Sequence, residues 1–328
     1  MNVNLNSYYS AMELKPSTSL PPALVDWYEI RDFVGENIGD FIQFLMFSSL
    51  FVGIAGGGMV YVAACLQGLQ CNAACIVILV LVGFSVYNLN RKTDETEDAI
   101  NRQERYIFTK KYEKYLFIAA LVGYGLAILL GALHGWMALL VILIPLISGI
   151  FYSIPCLPPA SGYHRLKEIP VVKNLVVGIA WGATLTLVPI TVLEAPITPA
   201  TAITFIFFSS YAFIASTLPD IRDKEGDEQA GIRTIPVVIG AERTLFLVTA
   251  INLIIGSGAV IFSAVYLSPV VVVLIVVSMV YLHLCIRSFA KVKRKDLLCD
   301  ILTDGQFLII GVIAFSLSLV LSSLPFKG

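Results

Sequence analysis

Charge is what this sequence has least of. Of its 328 residues, 14% are Asp, Glu, Lys or Arg, about half the share of an ordinary soluble domain. With 57% hydrophobic residues and a mean hydropathy of +0.83, the soluble globular classes are excluded. Histidine is nearly absent. The three present, His134, His164 and His283, lie outside every acidic cluster, which argues against an imidazole metal centre. The six cysteines, Cys65, Cys71, Cys75, Cys156, Cys285 and Cys299, form no CxxC pair, so zinc-site spacing is missing. Cys71 and Cys75 read as small buried membrane residues. There is no GxxxxGK[ST] and no GxGxxG after a strand, so nucleotide binding is not expected. The net charge is −1, and no nucleic-acid partner is expected. Residues 1–35 lack the basic start and short apolar core of a cleavable leader.

What is abundant is long apolar runs. Nine are found, at about 41–66, 72–89, 114–133, 136–154, 171–193, 199–218, 243–266, 269–289 and 303–323. A run of about 18 or more apolar residues reads as a membrane span. The expected fold is therefore an all-α polytopic membrane protein, with nine transmembrane helices around a central cavity. The first run holds Gly56, Gly57 and Gly58; its length allows a bend or a tilt, and AGGGM within it reads as a helix-packing element. Residues 1–35 read as a cytoplasmic N-terminal segment with a short amphipathic surface helix in LPPALVDWYEIRDFV. Residues 36–328 read as one membrane domain.

The few charges are sorted by side. With nine spans, the N-terminus and alternate links hold 21 of the 22 basic residues, and only Lys327 falls on the other side. The positive-inside rule puts the N-terminus and the long links in the cytoplasm and the C-terminus opposite. KVKRK, residues 291–295, reads as a headgroup patch.

Two acidic stretches cap two of the spans on that cytoplasmic side. In NRKTDETEDAIN, Asn90, Asp94 and Asp98 stand at i, i+4 and i+8, one face of a helix that outlasts its span. In STLPDIRDKEGDEQAGIRTIP, Asp220, Asp223 and Asp227 stand at i, i+3 and i+7, again one face, with Gly226 a weak point in the last turn. Like charges so spaced repel and call for a cation between them. Clustered carboxylates suit a hard divalent ion such as Mg²⁺, which one or two carboxylates hold together with substrate phosphates. A phosphorylated substrate follows, with Arg102, Arg105, Arg165, Lys167 and Lys173 as candidate phosphate ligands.

These motifs resemble those of the UbiA-type intramembrane prenyltransferases. Asn90, Asp94 and Asp98 fit the N-x-x-x-D-x-x-x-D element of that family, and Asp220, Asp223 and Asp227 fit its D-x-x-D-x-x-x-D element. GDEQAGIRTIPVVIG is similar to the GDxxxGIxTLPxxxG that follows. FYSIP and RLKEIP resemble its Tyr-Ser-x-Pro and Arg-x-Lys elements, which places Tyr152, Arg165 and Lys167. The chain departs at NRQERYIFTKK, which keeps Asn101 and Arg105 but lacks the two prolines and the glycine of the family's acceptor-side loop.

The resemblance implies Mg²⁺-dependent transfer of an isoprenoid chain from an allylic prenyl diphosphate to an aromatic or lipid acceptor. The metal would lie between the two acidic triplets, with Arg105, Arg165, Lys167 and Lys173 on the diphosphate. Aromatic faces near the motifs, Tyr87 and Tyr152 with Phe84 and Phe213, would stabilise the allylic cation. Two other readings use the same features: a terpene cyclase on this scaffold, and an ion-coupled transporter.

Overall fold

The computed structural model describes residues 39–93, 95–155, 158, 163–229, 231–291 and 297–323. Asp94, the expected surface helix within residues 1–35, and residues 292–295 of the basic patch lie outside them. The chain divides into two units, Met1–Phe44 and Leu45–Gly328. Of the first, only 39–44 are described, the beginning of a helix Gly39–Phe47.

An apolar chain in lipid must satisfy its own backbone, so each long run becomes helix. The second unit contains α1 (Leu50–Leu66), α2 (Ala73–Thr93), α3 (Glu95–Asn101), α4 (Gln103–Lys111), α5 (Glu113–Leu133), α6 (Trp136–Ser153) and α7 (Val172–Val192). It continues with α8 (Pro199–Gln229), α9 (Ile235–Ile239), α10 (Ala241–Tyr266), α11 (Pro269–Lys291), α12 (Leu297–Asp304) and α13 (Gln306–Ser323). No strand occurs among the described residues. Seven of the helices are long and apolar enough to cross a membrane, or eight spans if Gly39–Phe47 and α1 count as one broken span. Residues Ile301–Leu317 form a shorter apolar helix.

The long helices close a ring. α1 packs on α2, α2 on α5, α5 on α6, α6 on α7, α7 on α8, α8 on α10, α10 on α11, α11 on α13, and α13 back on α1. Small residues set the closest approaches, as they do wherever membrane helices pack backbone to backbone. A Cβ on Gly182 of α7 would lie 2.8 Å from Ser209 Cα of α8. One on Gly58 of α1 would lie 2.5 Å from the Phe307 carbonyl oxygen of α13. The glycines at 56–58 therefore serve packing. The break in the first apolar run falls earlier, at Ser49, whose φ is 64°.

Three of these helices, α6, α7 and α8, carry an internal proline, and α6 shows how one is accommodated. Pro145 lies within it. The buried Tyr124 of α5 inserts its hydroxyl into the backbone ladder there, donating to the Ile142 carbonyl at 2.6 Å and accepting from the Leu146 N–H at 3.2 Å. In a regular helix those two groups would bond each other. Tyr124→Phe removes the bridge in a dry setting and is expected to cost about 1–2 kcal/mol, read as a shift in the SDS-titration midpoint of the purified protein.

Candidate functional site

Inside the helical bundle lies a cavity of about 370 Å³. Asn90 and Asp98 line it from α2 and α3, and Asp220, Asp223 and Asp227 from α8. Arg105, Arg165, Lys167, Lys173, Tyr87 and Tyr152 line it as well. Of the site residues the sequence singles out, only Asp94 lies outside the described residues. Phe84 and Phe213 are placed differently: they pack against Gly53 and Gly178 at the helix contacts.

α8 runs unbroken through Gly226 to Gln229, so its three aspartates share one face at 3.6 residues per turn. Asp220 is 5% exposed and is held from α7. Lys173 Nζ lies 2.7 Å from Oδ1, and Asn174 Nδ2 donates to Oδ2 at 3.1 Å. The tight α7–α8 packing at Gly178 and Gly182 brings these groups into range. Ahead of them Val171 has a φ of 68°, and the Val172 N–H donates to the Pro170 carbonyl at 2.8 Å. That is a strained γ-turn, worth about 1–3 kcal/mol of backbone strain, directly before the cation of the site.

Each remaining described carboxylate of the motifs also has a protein partner. Arg222 grips Asp223 with Nε at 2.6 Å and Nη2 at 2.8 Å. Arg105 Nη2 lies 2.5 Å from Asp98 Oδ1, while the buried Arg105 Nε has no hydrogen-bond acceptor. Asn101 Nδ2 donates to Asp227 Oδ1 at 2.9 Å. The α3–α4 corner that carries Asn101 and Arg105 is fastened outside the cavity. Lys110 bonds Glu95 at 2.8 Å and Glu113 at 3.1 Å, and Lys92 reaches both acids. Lys110 draws the Glu95 carboxyl below its ordinary range.

Arg165 and Lys167 sit on the turn between α6 and α7. Glu168 organises it, accepting from Arg165 Nε at 2.7 Å and from the His164 and Arg165 N–H groups at 2.7 and 3.2 Å. Burial alone would push its carboxyl up, but these donors outweigh that and hold it at about 2. The turn therefore keeps its charge-assisted bonds at any pH above the ordinary carboxylate range and loses them as pH falls toward 2.

Below this polar end the cavity turns apolar. Lys173, Val177, Trp181 and Leu185 line it from α7 at i, i+4, i+8 and i+12, a stripe about 18 Å deep. Trp181 stacks obliquely near Tyr87, with ring centroids 6.2 Å apart. Trp181 was not singled out from the sequence, although its spacing from Lys173 carries the signal. Asp304, on neither acidic motif, also lines the cavity. Its neighbour Thr303 is pinned by the Tyr211 hydroxyl, which donates to its carbonyl at 2.8 Å.

Among the described residues no three His, Cys, Asp or Glu side chains lie close enough to hold a metal by themselves. The donors on offer are carboxylate and amide oxygens on two facing walls. That set fits a hard cation sharing its shell with substrate oxygens.

The model of the UbiA prenyltransferase family matches residues 46–299. The chain is similar to the digeranylgeranylglyceryl phosphate synthase of Natronomonas pharaonis, 25% identical over 199 residues, with 59% of this chain and 68% of that protein covered. It is similar also to the protein of the same name from Pyrococcus horikoshii, 27% identical over 205 residues, with coverage of 59% and 65%. The matches thus span about two thirds of these relatives' length. Among solved structures, a UbiA homologue from Aeropyrum pernix shares the fold with a TM-score of 0.61 at 17% identity, covering 83% of this chain and 98% of that one. A UbiA homologue from Archaeoglobus fulgidus bound to DMAPP and Mg²⁺ gives 0.51 at 14% identity, covering 84% and 96%. With its helical ring, its two facing acidic motifs and a family match over most of its length, the chain belongs to the UbiA prenyltransferase family.

Proposed function

We propose that this protein transfers an isoprenoid chain from an allylic prenyl diphosphate to a lipid or aromatic acceptor within the membrane. The observation that carries this is one cavity with a carboxylate- and cation-lined end and an apolar depth behind it, the shape of an amphipathic diphosphate.

Asn90, Asp94, Asp98, Asp220, Asp223 and Asp227 would hold Mg²⁺, which when bound supplies Lewis-acid neutralisation of the leaving diphosphate. Arg165, Lys167 and Lys173, with Arg105 from the opposite corner, bind diphosphate oxygens and offset the charge that grows as the C–O bond breaks. The wall of Val177, Trp181 and Leu185 seats the chain and excludes water from the allylic cation. Tyr87, Tyr152 and Trp181 line the same space, and their aromatic rings would stabilise that cation. The acceptor's nucleophilic atom then forms the bond to the allylic carbon and gives up its proton, which leaves with the released diphosphate or to water at the polar end. The names of the curated relatives favour a glyceryl phosphate lipid, whose nucleophile is a hydroxyl. In this reading nine spans cross the membrane, the two motifs face the cytoplasm with the N-terminus, and the C-terminus lies opposite.

The test uses purified protein in nanodiscs with Mg²⁺ and radiolabelled geranyl, farnesyl or geranylgeranyl diphosphate, with and without a total lipid extract. Diphosphate release that needs the extract is expected. Release without it, yielding a hydrocarbon or alcohol, would replace transfer by cyclisation. No release from folded protein would sink the enzyme reading.

A further inference from the structure

Asn101 is the last residue of α3, a position kept from the acceptor-side loop but with no contact legible in the sequence. In the fold it meets α8 at the second acidic motif, 126 residues further on. Its Nδ2 donates to Asp227 Oδ1 at 2.9 Å. Its amide also rests on Gly226, where a Cβ would lie 3.0 Å from Asn101 Cγ and closer still to its Oδ1. Gly226 is inside the long helix α8, a position where glycine weakens a helix relative to alanine. The seat it provides for Asn101 explains its presence. Four residues after Asn101, Arg105 bonds Asp98 of the first motif at 2.5 Å. One corner of the chain therefore grips one carboxylate from each motif. Asn101, Arg105, Asp98 and Asp227 all line the same cavity.

We infer that Asn101 is a positioning residue that fixes Asp227 against the first acidic motif, with Gly226 as its seat. Asn101 occupies one oxygen of Asp227 and leaves the other for a ligand. Hydrogen-bond partners of this kind aim the carboxylates of metal sites, and removing them typically costs about 10–100-fold in metal affinity. The inference rests on the Mg²⁺–diphosphate reading above. It differs from a helix-ending role for Asn101, which would affect folding alone.

The experiment measures thermal stabilisation of the protein by Mg²⁺ at fixed inorganic diphosphate, with no acceptor and no turnover. Asn101→Ala is expected to raise the Mg²⁺ concentration for half-maximal stabilisation about 10–100-fold. Gly226→Ala is expected to do the same, because its Cβ pushes the Asn101 amide away from Asp227. The double variant is expected to be no worse than Asn101→Ala. With the amide gone, the nearest remaining neighbour of the new Cβ is Ile100 Cγ2 at 3.4 Å, an ordinary contact. An unchanged Mg²⁺ midpoint in folded Asn101→Ala, or losses that multiply in the double variant, would overturn the inference. A wild-type protein that does not respond to Mg²⁺ and diphosphate would overturn the metal reading and this inference together.

Discussion

Asp223→Asn is expected to lower Mg²⁺-dependent diphosphate release by about 10²–10³-fold while the bundle stays folded. The substitution keeps the shape of the side chain and an oxygen for Arg222, which now holds both carboxylate oxygens within 2.8 Å. It removes the negative charge that a hard cation needs. Asp223 stands at the middle of the α8 face, between Asp220 and Asp227, so neither neighbour replaces it without a shift along the helix. Release measured at saturating donor, beside a melting curve, checks both halves of the expectation. Wild-type turnover in the variant would remove Asp223 from the site.

The second large effect is on stability and activity together. Lys173→Met strips the cation from Asp220, whose side chain is 7% exposed. Removing one partner of a buried pair leaves the other charge desolvated and costs about 3 kcal/mol, at the low end for such pairs because the Lys173 side chain is 24% exposed. Asn174 alone then holds the carboxylate. Adding Asp220→Asn removes the stranded charge, so the double variant is expected to regain most of the stability and none of the turnover. SDS-titration midpoints report the first quantity and diphosphate release the second. Recovery of both would make the Lys173–Asp220 pair a packing device.

Much of this was legible in the sequence because lipid imposes simple rules. Apolar runs became helices. The i, i+3, i+7 spacing of Asp220, Asp223 and Asp227 put them on one face, since α8 outlasts its apolar run. The seat of Asn101 on Gly226 was not legible, because it joins residues far apart in the chain and only packing reveals it. Gly226 read as a weak point, and in the fold it is a point of contact. Ser49 offered no sign of the break it makes, being neither glycine nor proline, while the glycines at 56–58 read as a packing element and do pack against α2 and α13. Phe84 and Phe213 lie near the motifs along the chain, yet they are turned into helix contacts. Proximity in sequence says little about which side of a helix an aromatic ring takes.

The contact of α1 with α13 through Gly58 and Phe307 has a consequence for biogenesis. The ring of helices closes only when the last helix has been made and has docked against the first. Translation at roughly 5–20 residues per second separates the two by on the order of tens of seconds. During that time the earlier helices wait in the membrane with the α1 face that meets α13 uncovered. A ribosome stalled before α13 would leave a bundle with an unsealed side, and such a nascent chain is a natural target for membrane quality control.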